Sequence, residues 1–343
     1  MGSTPTRPFH PPSDPQWQAL HSEPALEPEL DIIDAHHHLF DRPQWPYRLE
    51  DLLGDFGQGH SVRASVYVQC GEHYLAEGPP QLRPVGETRF VDEAARRSLH
   101  ASEGAVHACA AIVAFADLGL GAAVDEVLEA HLQAAPTRFR GIRHGLSTDP
   151  DPAYARSGPR PRPGLMADPA FREGFGRLAP HGLSFDAWLY HPQIPELVEL
   201  ARAFPDTTIV LDHVGGPLGL GGYAGRRDEV FAQWRDSIAT LARCPNVVVK
   251  LGGLGMRLTG FGFEEAESPP DSATLAAAWK PWIETCIEAF GVERAMFESN
   301  FPVDGCSSGY GVLWNAFKRI TAGASADEKA ALYRLTACQV YRI

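Results

Sequence analysis

Short β-branched or apolar runs alternate along the chain with longer stretches whose apolar residues recur at three and four positions, and about eight such pairs follow one another. The strand candidates are 31–36 (DIIDAH), 63–70 (RASVYVQC), 105–115 (AVHACAAIVAF), 139–146 (FRGIRHGL), 183–190 (LSFDAWLY), 207–215 (TTIVLDHVG), 246–253 (NVVVKLGG) and 294–301 (RAMFESNF). Helical patterns such as QIPELVELARAF and DEVFAQWRDSIATLARC lie between them. A strand that runs parallel to its predecessor needs a long crossover, and a helix supplies it. The pattern therefore predicts an α/β fold, a (β/α)8 TIM barrel over residues 31–343, preceded by a Pro-rich polar arm over residues 1–30. Two segments interrupt the rhythm: residues 147–169, rich in Pro, Arg and Gly, follow the fourth strand, and residues 253–272 follow the seventh. Both fall at C-terminal strand ends, where barrels carry their binding loops.

At 343 residues, 44% hydrophobic and 21% charged, the chain can bury a core of that size. A formal net charge of −13 excludes polyanions, nucleic acid and an anionic membrane surface, as main partners. The six cysteines are scattered without a CxxC pair, and no apolar run approaches a membrane span, so a reduced, cytoplasmic protein is expected. A homo-oligomer is compatible with the sequence.

Chemistry-bearing residues gather at strand ends. The first strand runs into DAHHHLFD (34–41), where strict alternation aims His36 and His38 the same way as Asp34 and turns His37 to the helical layer. His191 closes the fifth strand and His213 the sixth; Arg143 and His144 end the fourth, Lys250 the seventh, and Glu298 and Asn300 the eighth. Alternation places His213 on the face of Ile209 and Leu211, read as the inward row. A barrel brings all these ends to one mouth, so residues far apart in sequence become neighbours. No P-loop is present and no GxGxxG follows the first strand, so phosphoryl-transfer and dinucleotide readings lack a basis.

The stretches DAHHHLFD, YHPQ, LDHVGGP, VKLGG and FESNFPV, in that order, resemble the amidohydrolase superfamily, in the TIM-barrel branch that holds 2-pyrone-4,6-dicarboxylate lactonase and L-fuconolactonase. The resemblance implies metal ligands at His36, His38 and His191, with His213 catalytic, around a divalent cation such as Zn or Mn or around a directly held water. It also implies an eighth-strand Asp, where this chain has Asn300. An amide cannot take a proton from water, so Glu298, or Asp304 beyond it, is expected to stand in, Glu298 by preference. Arg143 and Lys250 are expected to bind a substrate carboxylate, with Tyr67, Gln69 and Glu72 adding polar contacts. Arg257, Phe261 and Phe263 are expected over the mouth. The expected activity is hydrolysis of a lactone or related cyclic ester or amide of a small, cyclic or aromatic carboxylated compound. The alternatives are metal-dependent decarboxylation of an aromatic acid and a non-catalytic ligand-binding barrel.

Overall fold

The computed structural model describes residues 11–102, 104–154 and 161–343, so residues 1–10 of the arm and 155–160 of the first long loop lie outside the described residues. Eight strands form one parallel sheet in sequence order: β1 Asp31–His37, β2 Ser61–Val68, β3 His107–Ala114, β4 Phe139–Ile142, β5 Ser184–Ala187, β6 Ile209–Leu211, β7 Val247–Leu251 and β8 Ala295–Phe297. The ring closes just past the last strand, where Asn300 N–H donates to the His36 carbonyl (2.9 Å) and His38 N–H to that of Phe301 (2.8 Å). A helix follows each strand: α1 Leu49–Phe56, α2 Val85–Ala101, α3 Val124–Ala134, α4 Pro169–Phe175, α5 Ile194–Ala203, α6 Arg227–Leu241, α7 Ser272–Phe290 and α8 Tyr310–Ile320. This is the (β/α)8 TIM barrel.

Local chemistry starts several of these helices. Asp168 accepts from Ala170 N and Phe171 N ahead of α4, and Asp271 accepts from Thr274 N ahead of α7, each satisfying donors that the first helical turn leaves open. Pro169 occupies the first position of α4, where a missing N–H costs nothing.

Alternate strand residues divide between two buried clusters. Ile32, Ile112, Phe185, Ile209, Leu211, Val247, Val249 and Phe297 join the helices, whereas Ile33, Val66, Val68, Ala111, Val113, Val210, Val248 and Met296 form an inner row. The C-terminal helix Thr336–Tyr341 packs into that inner row through Ala337 and Tyr341 and stoppers the barrel opposite the strand ends. The inner row thus runs through Val210, not Ile209 and Leu211 as read from the sequence. Extending it upward gives the positions that face the site: Asp186, Asp212, Lys250 and Glu298.

The arm docks on the same end of the barrel as the site. Trp17 Nε1–H donates to the Ala266 carbonyl (3.1 Å), and the Gln18 amide donates to the carbonyls of Gly305 (2.6 Å) and Ser308 (3.3 Å). No helix among the described residues is long and apolar enough to cross a membrane.

Candidate active site

Three backbone irregularities set which side chains enter the barrel mouth. In β1 the pairing with β2 slips between Asp34 and His37, three residues opposing two, which is a bulge. Alternation is therefore broken. Asp34 turns to the outer wall and accepts from Ser299 N–H (2.8 Å), Ser299 Oγ–H (2.6 Å) and the Tyr310 hydroxyl (3.1 Å), so it does not share a side with the histidine pair as expected. His36 and His38 do meet, Nε2 to Nε2 at 3.3 Å, while His37 faces away toward Ser65 Oγ (2.9 Å) and the Cys109 thiol (3.8 Å).

The second irregularity follows β6. His213 and Val214 have φ of +56° and +46°, a left-handed conformation that is uncommon for any residue with a Cβ and an outlier for a β-branched one. This turn reverses the direction that alternation would give His213 and swings its ring inward, 4.5 Å from the His36 ring and 4.7 Å from that of Trp188. The third is Asn300, at φ +53°, whose side-chain amide donates to Asp304 Oδ1 (2.7 Å).

Glu298 grips His213 twice: Oε1 accepts from the backbone N–H (3.0 Å) and from Nδ1 (2.7 Å), and Oε2 lies 3.1 Å from His36 Nδ1. Burial would raise its pKa, but the charge and hydrogen bond of His213 and the contact with His36 hold it at about 2. Asp304 also accepts from Gly255 N–H (2.9 Å); burial pushes it up to about 7 against the pull of His213. Burial, then the charge of Lys250, holds His36 well below the usual histidine range; burial and Arg143 do the same to His38.

A run of glycines lets the wall after β7 press against these groups. A Cβ on Gly252 would meet Glu298 Cγ at 2.5 Å, one on Gly255 would meet Asp304 Oδ2 at 2.9 Å, and one on Gly253, at φ +69°, would collide with His213.

Beneath the imidazoles lies a buried ionic layer. Lys250 Nζ donates to Asp186 Oδ2 (2.7 Å) and lies 3.1 Å from Asp212 Oδ1 and 3.2 Å from His36 Nδ1. Arg143 Nη1 is 3.3 Å from His36 Nε2 and 3.7 Å from Asp212 Oδ2, and its other terminal nitrogen donates to the Gln69 carbonyl. Gln69 returns its amide to the Arg143 carbonyl at 3.4 Å.

An amidohydrolase family model matches residues 33–343, nearly the whole barrel. The chain belongs to the amidohydrolase family.

This amidohydrolase is 34% identical to an uncharacterized protein, y4mH, of Sinorhizobium fredii, over 92% of this chain and 99% of the relative. It is 27% identical to an L-fucono-1,5-lactonase of Burkholderia multivorans, over 91% and 96%. Its fold is similar to a crystal structure of an amidohydrolase from Burkholderia multivorans with bound zinc, at a TM-score of 0.68 and 24% identity, covering 91% of this chain and 99% of that one. Family and lactonase relatives together make the protein a hydrolase.

The donor set fits a divalent cation of the kind the family uses. His36, His213 and Glu298, all buried, bring ligand atoms within 4.8 Å of one another. His38 Nδ1 is committed to the Val68 carbonyl (2.7 Å), which leaves its Nε2 lone pair aimed at His36; the 3.3 Å between the two Nε2 atoms compares with about 3.4 Å for two imidazoles on one tetrahedral Zn. The layer sets three carboxylates, Asp186, Asp212 and Glu298, against two permanent cations, Lys250 and Arg143.

Other expected residues stand elsewhere. His191 is buried, with Nδ1 accepting from Leu218 N–H (3.3 Å) and its ring against Tyr223, and burial lowers it to about 4; among the described residues no hydrogen bond or ring contact joins it to His36 or His213. Tyr67 sits on the outer face of β2, where its hydroxyl donates to Glu87 of α2 (2.9 Å), so it does not line the mouth. Glu72 pairs with Arg42 (2.5 Å), and His144 Nδ1 accepts from Leu118 N–H (3.3 Å) behind the wall. Phe261 and Phe263 stack on each other and lean on Arg227 of α6 and Trp279 of α7, away from the mouth, and Arg257 faces Glu264. Lys250 lies below the mouth, saturated by carboxylates, and is not free for a substrate anion. Asp186 and Asp212 were missed, although each continues an inward row, Asp212 two residues after Val210.

Proposed function

We propose that this amidohydrolase opens the ring of a lactone or related cyclic ester of a small carboxylated compound. The observation that carries the reading is a buried carboxyl poised near neutrality, Asp304 at about 7, beside a histidine locked by a second carboxylate, His213 on Glu298. Glu298, held at about 2, is too weak a base to take a proton from water at neutral pH, so its role is to fix the ring of His213. Asp304 takes over as the base, delivered by Asn300, which occupies the place of the expected acid and hands its amide to Asp304 Oδ1.

In this reading His213 keeps Nε2 for the attacking water, since Nδ1 is spent on Glu298. Asp304 accepts the water proton as the oxygen bonds to the lactone carbonyl, and returns it to the ring oxygen as the carbonyl carbon–oxygen bond breaks. The product is a hydroxyl and a carboxylic acid, which ionises to a carboxylate by releasing the second water proton to solvent. Arg143, whose Nε is buried without an acceptor, supplies an unspent donor for the substrate carboxylate, with Gln69 holding it in place. A Zn or Mn ion would be held by His36, His38 and the Glu298 oxygen not spent on His213, and would polarise the carbonyl and acidify the water.

Asp304→Asn tests the reading on a panel of carboxylated lactones followed by NMR. The expected loss is about 10²–10⁴-fold in kcat, the usual worth of a positioned base. Full turnover in Asp304→Asn would remove Asp304 from the chemistry.

A further inference from the structure

The C-terminal helix reaches the ionic layer through one side chain. The Tyr341 hydroxyl donates to Asp186 Oδ2 (2.7 Å), the same oxygen that accepts from Lys250 Nζ (2.7 Å), and the ammonium lies 5.5 Å from the centre of the Tyr341 ring. Tyr341, Asp186, Lys250 and His36 are all fully buried, so no water competes for these contacts. The helix is itself pinned: Arg140 Nε donates to the Tyr341 carbonyl (2.9 Å), Thr336 Oγ1 to the Val292 carbonyl (3.0 Å), and Ala337 packs on the inner row. A tyrosine, rather than a phenylalanine, at the floor of an otherwise apolar row needs a partner for its hydroxyl, and Asp186 is that partner.

Among the described residues Asp186 has no other strong donor. Its second oxygen accepts from Ser184 Oγ, at 3.5 Å. The carboxylate that aims Lys250 at His36 and Asp212 is thus held in place from below by the last turn of the chain.

From this geometry we infer that Tyr341 is a positioning residue: through Asp186 it sets where the Lys250 ammonium stands against His36 and Asp212, linking the C-terminal helix to the site. Removing the hydroxyl leaves Asp186 to rotate toward Ser184 and lets Lys250 follow it.

Two readouts on Tyr341→Phe test this, of which only the kinetic one rests on the ring-opening reading. In a crystal structure of the variant, Lys250 Nζ is expected beyond hydrogen-bond distance of His36 Nδ1, with the barrel unchanged. On a lactone that the wild type opens, kcat is expected to fall about tenfold or more with KM within about twofold, the range of changes to groups that orient a site from behind. Tyr333→Phe is the control, because it removes another fully buried hydroxyl, bonded to Thr321 at 2.9 Å, and should match the wild type. An unmoved Lys250, or turnover equal to wild type, would overturn the inference. If the wild type opens no lactone, the ring-opening reading fails alone, and the variant crystal structure still decides the position of Lys250. Should Tyr341→Phe not fold, Asp186→Asn, of the same size, is judged on the same two readouts.

Discussion

His213 depends on a glycine it never bonds. Gly253 has φ +69° and approaches the His213 side chain so closely that any Cβ must displace it, whereas Gly291, at φ +77°, has nothing within 4 Å of a built Cβ. Gly253→Ala and Gly291→Ala should each cost about 1–3 kcal/mol of stability for the left-handed backbone. Only Gly253→Ala should also lose turnover, about tenfold or more, which thermal melts alongside kinetics would separate. Asp304 adds a pH signature. Its carboxyl is raised to about 7 and acts as the ionised base, so kcat should climb as pH rises through about 7 and level off above it. The limb should vanish in whatever activity Asp304→Asn retains. At this scale the sequence was only partly legible. The histidine pair, His213, Glu298 and Asp304 could be picked out as polar residues at strand ends. Asp34 and the face of His213 were misread because a bulge and two left-handed residues overrule alternation, and neither leaves a mark in the hydrophobic pattern, whereas Tyr67 obeys alternation, which turns it outward between Val66 and Val68.

Whole elements were easier to read than their edges. All eight strands stand where β-branched runs announced them, because a buried strand must be apolar on both faces. Seven of them end sooner than the runs suggest: β6 stops at Leu211 and β8 at Phe297, and most of the residues with chemistry there lie in the turns beyond. The arm was read as Pro-rich and polar, with no sign of what it touches. Its described part is tied to α8 by Asn315, which accepts from Leu26 N–H (2.8 Å) and donates to Glu23 Oε2 (3.0 Å) and the Pro24 carbonyl (2.9 Å). Lys318 adds bonds to the carbonyls of Leu26 (2.8 Å) and Glu27 (2.9 Å). Asn315→Ala should therefore cost about 2 kcal/mol in denaturant unfolding and open residues 19–30 to limited proteolysis. Because Gln18 braces the carbonyls of Gly305 and Ser308 in the turn that begins with Asp304, the loosened arm should also lower kcat.

Across the whole molecule, the barrel supplies an apolar shaft with a polar layer at one end. Val66, Val113, Val248 and Met296 fill the shaft, Tyr341 closes its floor, and Asp186, Asp212, Lys250 and Glu298 stand above. Excluding water from that layer strengthens each contact in it and makes any unpaired charge costly, which explains why carboxylates, cations and imidazoles are interlocked there. Ring opening by water at this layer can be followed directly in water enriched in 18O, with products of a carboxylated lactone weighed by mass spectrometry. The mechanism predicts one labelled oxygen, located in the new carboxylate, no label in the hydroxyl and no release of CO₂. Label in the hydroxyl, or loss of CO₂ from the substrate, would contradict attack on the carbonyl and with it the role assigned to Asp304 and His213.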